Sequence, residues 1–306
     1  MEGVMMKNQD RYAVAVRKQD KEIEVQVSEY KGVVSSKGIR NFPILRGVLS
    51  FVESLQLGMR TLMFSASFFE EEEEDEKKKK KKEELSPEEL EKQLAKEKKQ
   101  ENAMMGGTLV LSVVLALAIF FVLPYFLSAF FRKFIDSYML LALIEGLIRL
   151  AIFIGYIALV SLMPDIRRVF MYHGAEHKCI NCIEHGLALT VENVHKSSKQ
   201  HKRCGTSFLL IVMVISIFFF MFIRVDSPVL RLLLRLLLIP VIAGVSYEFI
   251  RLAGRYDNWF VNLLSAPGLL MQRLTTREPE DDMIEVGIAS VEAVFDWKAW
   301  QKEQGL

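Results

Sequence analysis

Histidine and cysteine are scarce in this chain, five and three among 306 residues, and neither is spread along it. Three cysteines with no secretory leader ahead of them argue against a disulfide framework, and the N-terminus is expected to be the written one. The Cys179-Ile-Asn-Cys182 pair has no βαβ pattern around it, which argues against thioredoxin-like redox chemistry. A net charge of +1 gives no bulk electrostatic pointer to a partner, and specific nucleic-acid binding is not expected. Charge itself is nearly missing from long stretches between 107 and 272, while residues 70–102 contain little else.

Those uncharged stretches define the class. Apolar runs of about 20 residues read as transmembrane helices, because only a helix satisfies its own backbone in hydrocarbon. Four are expected: 107–131, interrupted by Pro124; 138–163; 207–223, with Thr206 or Ser207 as its N-cap; and 229–250, containing Pro240 and Gly244. The loop 164–206 holds Arg167, Arg168, Lys178, Lys196, Lys199, Lys202 and Arg203, and the tail holds Arg251, Arg255, Arg273 and Arg277. By the positive-inside rule both termini and this loop are cytoplasmic, in a bacterial plasma membrane. Within the spans, Glu145 and Arg149 share a helix face, and Arg231 and Arg235 lie near the outer end of the fourth span. An unpaired charge there costs at least ~2.5 kcal/mol, so interhelical pairing is expected, either to set register or to line a polar path.

Residues 12–27 alternate apolar and polar around Lys18-Gln19-Asp20-Lys21, a β-hairpin pattern. After Pro43 the period changes to that of an amphipathic helix through Phe69, packing on the bundle or lying at the membrane surface. An acidic run and Lys77–Lys82 follow, then Ser86-Pro87, a helix-start signal. This block reads as a solvated linker, helical or disordered, whose lysines have a weak claim on anionic lipid or ribosomal RNA. Trp259, Pro267 and Gly268 mark a kinked interfacial segment, and 286–300 a short docked tail helix. The regions are therefore 1–41, 42–69, 70–106, 107–163, 164–206, 207–250 and 251–306.

All five histidines and all three cysteines lie between His173 and Cys204. His173-Gly-Ala-Glu176-His177 has the H-x-x-E-H spacing. On a helix it puts two imidazoles on one face, one turn apart, with a carboxylate beside them. A zinc ion held there would lower the pKa of a bound water to about 7, with Glu176 as the base. Glu184, His201 and Cys204 are candidates for a third ligand, with Glu248 an outside choice. Cys179 and Cys182 with two further ligands would instead build a closed structural site. His185 and His195 read equally as solvated loop residues.

These residues, with Glu2-Gly-Val-Met-Met6, Leu45-Arg-Gly-Val48, Tyr172–Lys178, Leu189-Thr-Val-Glu-Asn193, Arg203-Cys-Gly-Thr-Ser-Phe208 and Tyr247-Glu248…Arg255, resemble the YqhQ-like family of bacterial membrane proteins. That family is of unknown function and is described as predicted metal-dependent enzymes. The resemblance implies a site of His173, Glu176, His177, Glu184, His201, Arg203 and Cys204. Cys179, Cys182 and His195 depart from the family, which more usually has Thr or other non-ligands there. A Gly-Gly-rich lead that the family carries is missing, which would either place the true start a few residues upstream or leave the chain without an N-terminal backbone contact of the family. The resulting expectation is a mainly α membrane protein with about four spans, a small N-terminal β region and a helical His/Cys-rich loop. Its expected activity is metal-dependent hydrolysis, zinc the first choice, at the cytoplasmic interface. The alternative is a non-catalytic membrane-assembly protein with a structural metal or hydrogen-bonded His cluster. Expected partners are the lipid bilayer and a homo-oligomer or membrane complex.

Overall fold

The computed structural model describes residues 2–306 other than 31, 33, 35–41, 85–86, 203, 226, 254–255 and 257. Ser86, Arg203 and Arg255 therefore lie outside the described residues, as do the side chains of the block 69–95.

The N-terminal strands β1 (Gly3–Asn8), β2 (Arg11–Arg17) and β3 (Ile23–Glu29) form an antiparallel sheet in the order β1-β2-β3. The expected hairpin is β2–β3, with Arg17 opposite Ile23. The first strand was not expected, because Gly3-Val-Met-Met-Lys-Asn is too short to establish a period. Its Val4 and Met6 are nevertheless buried in alternation. One sheet face is covered by a helix from the other end of the chain, α10 (Asp281–Val294), and Arg17 donates to the Asp282 carbonyl at 2.6 Å and to Glu285 at 2.7 Å.

One helix precedes the first apolar stretch and a second runs into it. α1 (Leu45–Glu84) runs on through the acidic and lysine blocks, since Glu and Lys are good helix formers. α2 starts at Pro87 and continues to Leu117. The stripe of α1 does not bury uniformly. Gly47 packs on α8 (Pro228–Ala253), where a Cβ would stand 2.9 Å from the Gly244 Cα, and Arg46 pairs with Glu248 through two hydrogen bonds. Val52, Leu55, Met59, Leu62 and Met63 remain exposed.

Among the described residues, three helical stretches are long and apolar enough to cross a membrane: Ala103–Lys133, Tyr138–Val160 (α4) and Pro228–Ala253 (α8). The fourth apolar helix, α7 (Gly205–Met221), has 17 residues, about 25 Å against the ~30 Å hydrocarbon core. The first stretch is irregular around Pro124. Ala118–Val122 is π-helical, and then come α3 (Leu123–Ala129) and a 3-10 turn. Proline has no N–H for the carbonyl four residues back, that of Phe120. Arg149 supplies the missing donor, its Nε lying 2.9 Å from the Phe120 oxygen.

The same guanidinium donates to Glu145 at 3.0 Å, and Arg235 of α8 clamps both Glu145 oxygens from across the bundle. Glu145, Arg149 and Arg235 are all buried. Arg231 stands apart from this triad. It donates through Nε and Nη2 to the Val225 carbonyl, because it lies only one turn inside α8 and reaches the preceding loop.

Beyond α4, α5 (Pro164–Glu184) carries the histidines and α6 (Val191–Lys196) follows, N-capped by Thr190. α9 (Trp259–Thr275) contains Pro267 and packs on α7 so closely at Gly268 that a Cβ would stand 2.8 Å from the Ser207 Cβ. The expected single tail helix over 286–300 is in fact two, α10 and α11 (Trp297–Gln304), with Asp296 as the N-cap of the second. Val4, Met6, Tyr172, Ala175, Cys179, Met283, Ile284 and Val291 share one hydrophobic core, so the two chain ends and α5 fold as a unit.

Glu2 ties that unit to α5. Its carboxylate accepts from Arg168 Nε and Nη2, each at 2.6 Å, and from the Tyr172 hydroxyl at 2.8 Å. Burial works against the carboxylate, but these donors and the Arg168 charge hold its pKa below the ordinary 4.5. A depressed folded pKa means stabilisation that is complete above 4.5 and lost as pH falls through the lower value. Glu2→Gln should therefore lower the melting temperature at pH 7 and show less further loss than wild type on acidification below about 4.5. Parallel melting curves against pH would sink this.

Candidate functional site

The H-x-x-E-H stretch lies in the middle of α5, so His173 and His177 stack one turn apart with ring centroids 4.4 Å from each other. Two separate segments fix their rings. His173 Nδ1 lies 2.8 Å from the carbonyl of Thr275, at the end of α9, and His177 Nδ1 lies 2.8 Å from the carbonyl of Lys199. A carbonyl only accepts, so each Nδ1 carries a proton, and Nε2 presents a lone pair whenever the ring is neutral. His173 Nε2 faces Cys204 Sγ at 3.3 Å, and His177 also bonds that sulfur. His173, His177 and Cys204 offer ligand atoms all within 4.8 Å of one another, a group able to hold a metal ion.

Cys204 is placed by the start of α7. Its sulfur accepts from the Thr206 N–H at 3.4 Å and lies 3.1 Å from the Thr206 hydroxyl, so Cys204 is the N-cap expected to be Thr206 or Ser207. Burial opposes ionisation of its thiol, but hydrogen bonds from His173 and His177 and their charges bring the pKa down to about 5. For His173 burial opposes protonation, and the bond to Cys204 with the charges of Cys204 and Glu176 raises the pKa to about 9. The ion-free cluster thus holds a thiolate beside an imidazolium at neutral pH. Glu176 is half-buried beside them. Burial lifts its pKa above the ordinary carboxylate value, and the two histidines oppose that rise.

The loop leading to Cys204 is clamped to α5 by its backbone. Lys178 Nζ donates to the carbonyls of His195 and Ser197 at 2.7 and 2.9 Å and pairs with Glu278 at 3.0 Å. Asn181 donates to the carbonyls of Ser198 and Gln200 at 2.7 and 2.9 Å. Next along the loop, Gln272 of α9 exchanges hydrogen bonds with both backbone groups of His201, at 2.8 and 2.7 Å. The sequence reading missed Gln272, Thr275 and Asn181. A buried amide or a backbone carbonyl carries no motif, and only Lys178 could have been noticed, as a charge on an otherwise buried helix face.

The other sequence candidates fall in five places. His201 and Glu184 pair with each other at 3.2 Å beside the cluster, with the His201 ring 5.9 Å from that of His177. Glu248 is away from the histidines, occupied by Arg46. Cys179 and Cys182 are fully buried in the α5–α10 core, where burial pushes both thiols up, and a Cβ at Gly287 would stand 3.0 Å from Cys179 Sγ. His185 bonds the Asn181 carbonyl at the end of α5, and exposed His195 lies 3.4 Å from Asp281.

A cavity of about 470 Å³ opens on the cluster. His173, Glu176, His177, Glu184, His201 and Cys204 line one side, and Ile180, Val291, Val294, Phe295 and Trp300 line the other. Close by, at Gly174, α5 meets the extended segment leaving α9. A Cβ there would stand 2.0 Å from the Arg277 oxygen, while Arg277 N–H donates to the Phe170 carbonyl at 2.9 Å. Gly174→Ala should therefore destabilise the protein by about 3 kcal/mol. It should also displace Thr275 from His173. A thermal melt close to wild type would show that the strand yields without cost.

Residues 42–297 match the family model described as "Protein of unknown function (DUF1385)". The chain is 34% identical over 308 residues to "Uncharacterized protein YqhQ" of Bacillus subtilis (strain 168), covering 99% of this chain and 92% of that protein. No solved structure matches. The chain belongs to the DUF1385 family of proteins of unknown function, to which the YqhQ-like resemblance pointed.

Proposed function

We propose that this protein is a metal-dependent hydrolase at a membrane interface, with His173, His177 and Cys204 holding a zinc-type ion and Glu176 moving the proton. One observation carries this reading. Two imidazoles are pinned through Nδ1 to backbone carbonyls so that both Nε2 atoms converge with a thiolate on the wall of a cavity. Histidine ligands of metals are oriented by such bonds. The donor set fits the ion, since a thiolate with two imidazoles suits zinc better than magnesium or manganese. Three protein ligands with an open position on a cavity fit a catalytic more than a closed structural site.

A bound ion would supply a Lewis acid and activate a neighbouring water. The chain's own residues do the rest. Glu176 reaches the same cavity, and burial raises its pKa, the direction that favours a carboxyl able to hold a proton as well as take one. The Glu184–His201 pair adds further polar groups to the cavity beside the cluster. Val291, Val294, Phe295 and Trp300 would exclude water and receive an apolar group of a peptide, lipid or ester. The basic residues flanking the cluster favour a cytoplasmic position for it and for both termini, with α7 as a fourth span.

A non-catalytic assembly protein is the second reading. It is favoured by the way the cluster joins three distant segments, α5, the start of α7 and the end of α9. The two separate at Glu176. Screened against peptide, ester and lipid substrates in nanodiscs, Glu176→Gln should retain its metal and its melting temperature and lose ~10²–10⁴ in rate. Undiminished hydrolysis by that variant would overturn the catalytic role.

A further inference from the structure

A second cavity, of about 260 Å³, lies at the opposite end of the membrane helices from the histidine cluster. Its lining includes Arg132, Asp136, Glu145, Arg231 and Arg235. α4 enters from this end and leaves toward α5, while α8 enters here and leaves toward α9. Glu145 and Arg235 each lie seven residues inside their helix starts, Tyr138 and Pro228, so the floor is about 10 Å below the helix ends. Arg231 lies one turn in, and Arg132 and Asp136 sit in the connection at the rim. If the helices span a bilayer, the cavity reaches from the headgroups to the upper acyl chains.

Its charges do not cancel. Both Glu145 oxygens are engaged by Arg149 and Arg235. Among the described residues Arg132 and Arg231 have no carboxylate partner, and they flank the Tyr125 ring at 5.0 and 5.5 Å. Arg231 uses Nε and Nη2 on the Val225 carbonyl, and among the described residues its Nη1 bonds nothing. The buried Arg235 Nε has no hydrogen-bond partner. Three arginines thus line a polar cavity opposite two carboxylates, one already engaged. Guanidinium groups match phosphate oxygens through paired N–H donors.

We propose that this cavity binds the phosphate of a membrane phospholipid headgroup, with Arg231 and Arg132 on the oxyanion and Asp136 accepting from a headgroup hydroxyl. This rests on the membrane reading and not on the metal chemistry of the other face.

The test uses full-length protein in neutral detergent, with native mass spectrometry of bound lipid. The probes are phosphatidylglycerol, a phosphate-free diglucosyl diacylglycerol and inorganic phosphate. Wild type should hold phosphatidylglycerol in clear preference to the glycolipid. Arg231→Gln and Arg132→Gln should each weaken it about fivefold while circular dichroism and metal content stay unchanged. Displacement of the lipid by millimolar inorganic phosphate would assign the cavity to free phosphate, and so overturn the headgroup. Equal retention of phospholipid and glycolipid, or preference unchanged in Arg231→Gln and Arg132→Gln together, would overturn the site altogether.

Discussion

Purified protein should carry about one zinc-type ion per chain, and His173→Ala, His177→Ala or Cys204→Ala should each abolish it. The loss should exceed the 10–100-fold typical of removing a group that only supports a ligand, so the variants should be metal-free by elemental analysis. Cys204→Ala carries the sharpest prediction, since Glu184 and His201 remain in place as alternative donors. If that variant keeps stoichiometric metal, the third ligand is one of those two. Proton linkage gives a second readout. In the ion-free cluster His173 holds its extra proton up to about pH 9, and ligation requires that proton to leave. Affinity should therefore rise with pH, roughly tenfold per unit below pH 9, and calorimetry in buffers of different ionisation enthalpy should register about one proton released. Cys204, lowered to about 5, contributes no proton above neutral pH. Affinity flat between pH 6 and 8 would mean that ion-free His173 carries no extra proton there, and the loss of metal in His173→Ala then decides its role as a ligand.

Glu145→Ala should be the most damaging single change within the bundle. It leaves Arg149 and Arg235 buried against each other without the carboxylate that both use. Breaking a buried pair by removing one partner costs about 3–5 kcal/mol, mostly the penalty of an uncompensated charge. Arg149 also serves the Phe120 carbonyl opposite Pro124 and lies 5.0 Å from the Phe220 ring, with Arg235 at 5.1 Å from the same ring. Displacing these guanidiniums therefore disturbs three helices. The double change Glu145→Leu/Arg235→Leu should recover part of the loss, because it removes a charge along with its counter-charge. Equilibrium unfolding in mixed micelles measures both. A Glu145→Ala protein as stable as wild type would mean that water or lipid neutralises the arginines.

Period and composition alone carried the larger features. A helix must close its backbone in hydrocarbon, so a long, mostly apolar run reveals α4 and α8 without reference to any other part of the chain. The β2–β3 hairpin was legible for the same reason, since alternation and turn residues are local. One turn of separation likewise put His173 and His177 on one face of α5. What the sequence could not contain was distance between segments. Whether Cys204 or His201 meets the histidines depends on how the 195–200 backbone is tied to Lys178 and Asn181, and those ties run through carbonyls that every residue possesses. The same is true of Thr275, whose carbonyl orients His173 across 102 residues of chain. β1 escaped notice because its partners, β2 and α10, supply the burial that makes it a strand. Local periodicity and the clustering of rare residues thus determined the class and the address of the site. Only the packing of α5 against α7, α9 and α10 decided which sulfur, which imidazole nitrogens and which cavity wall share it.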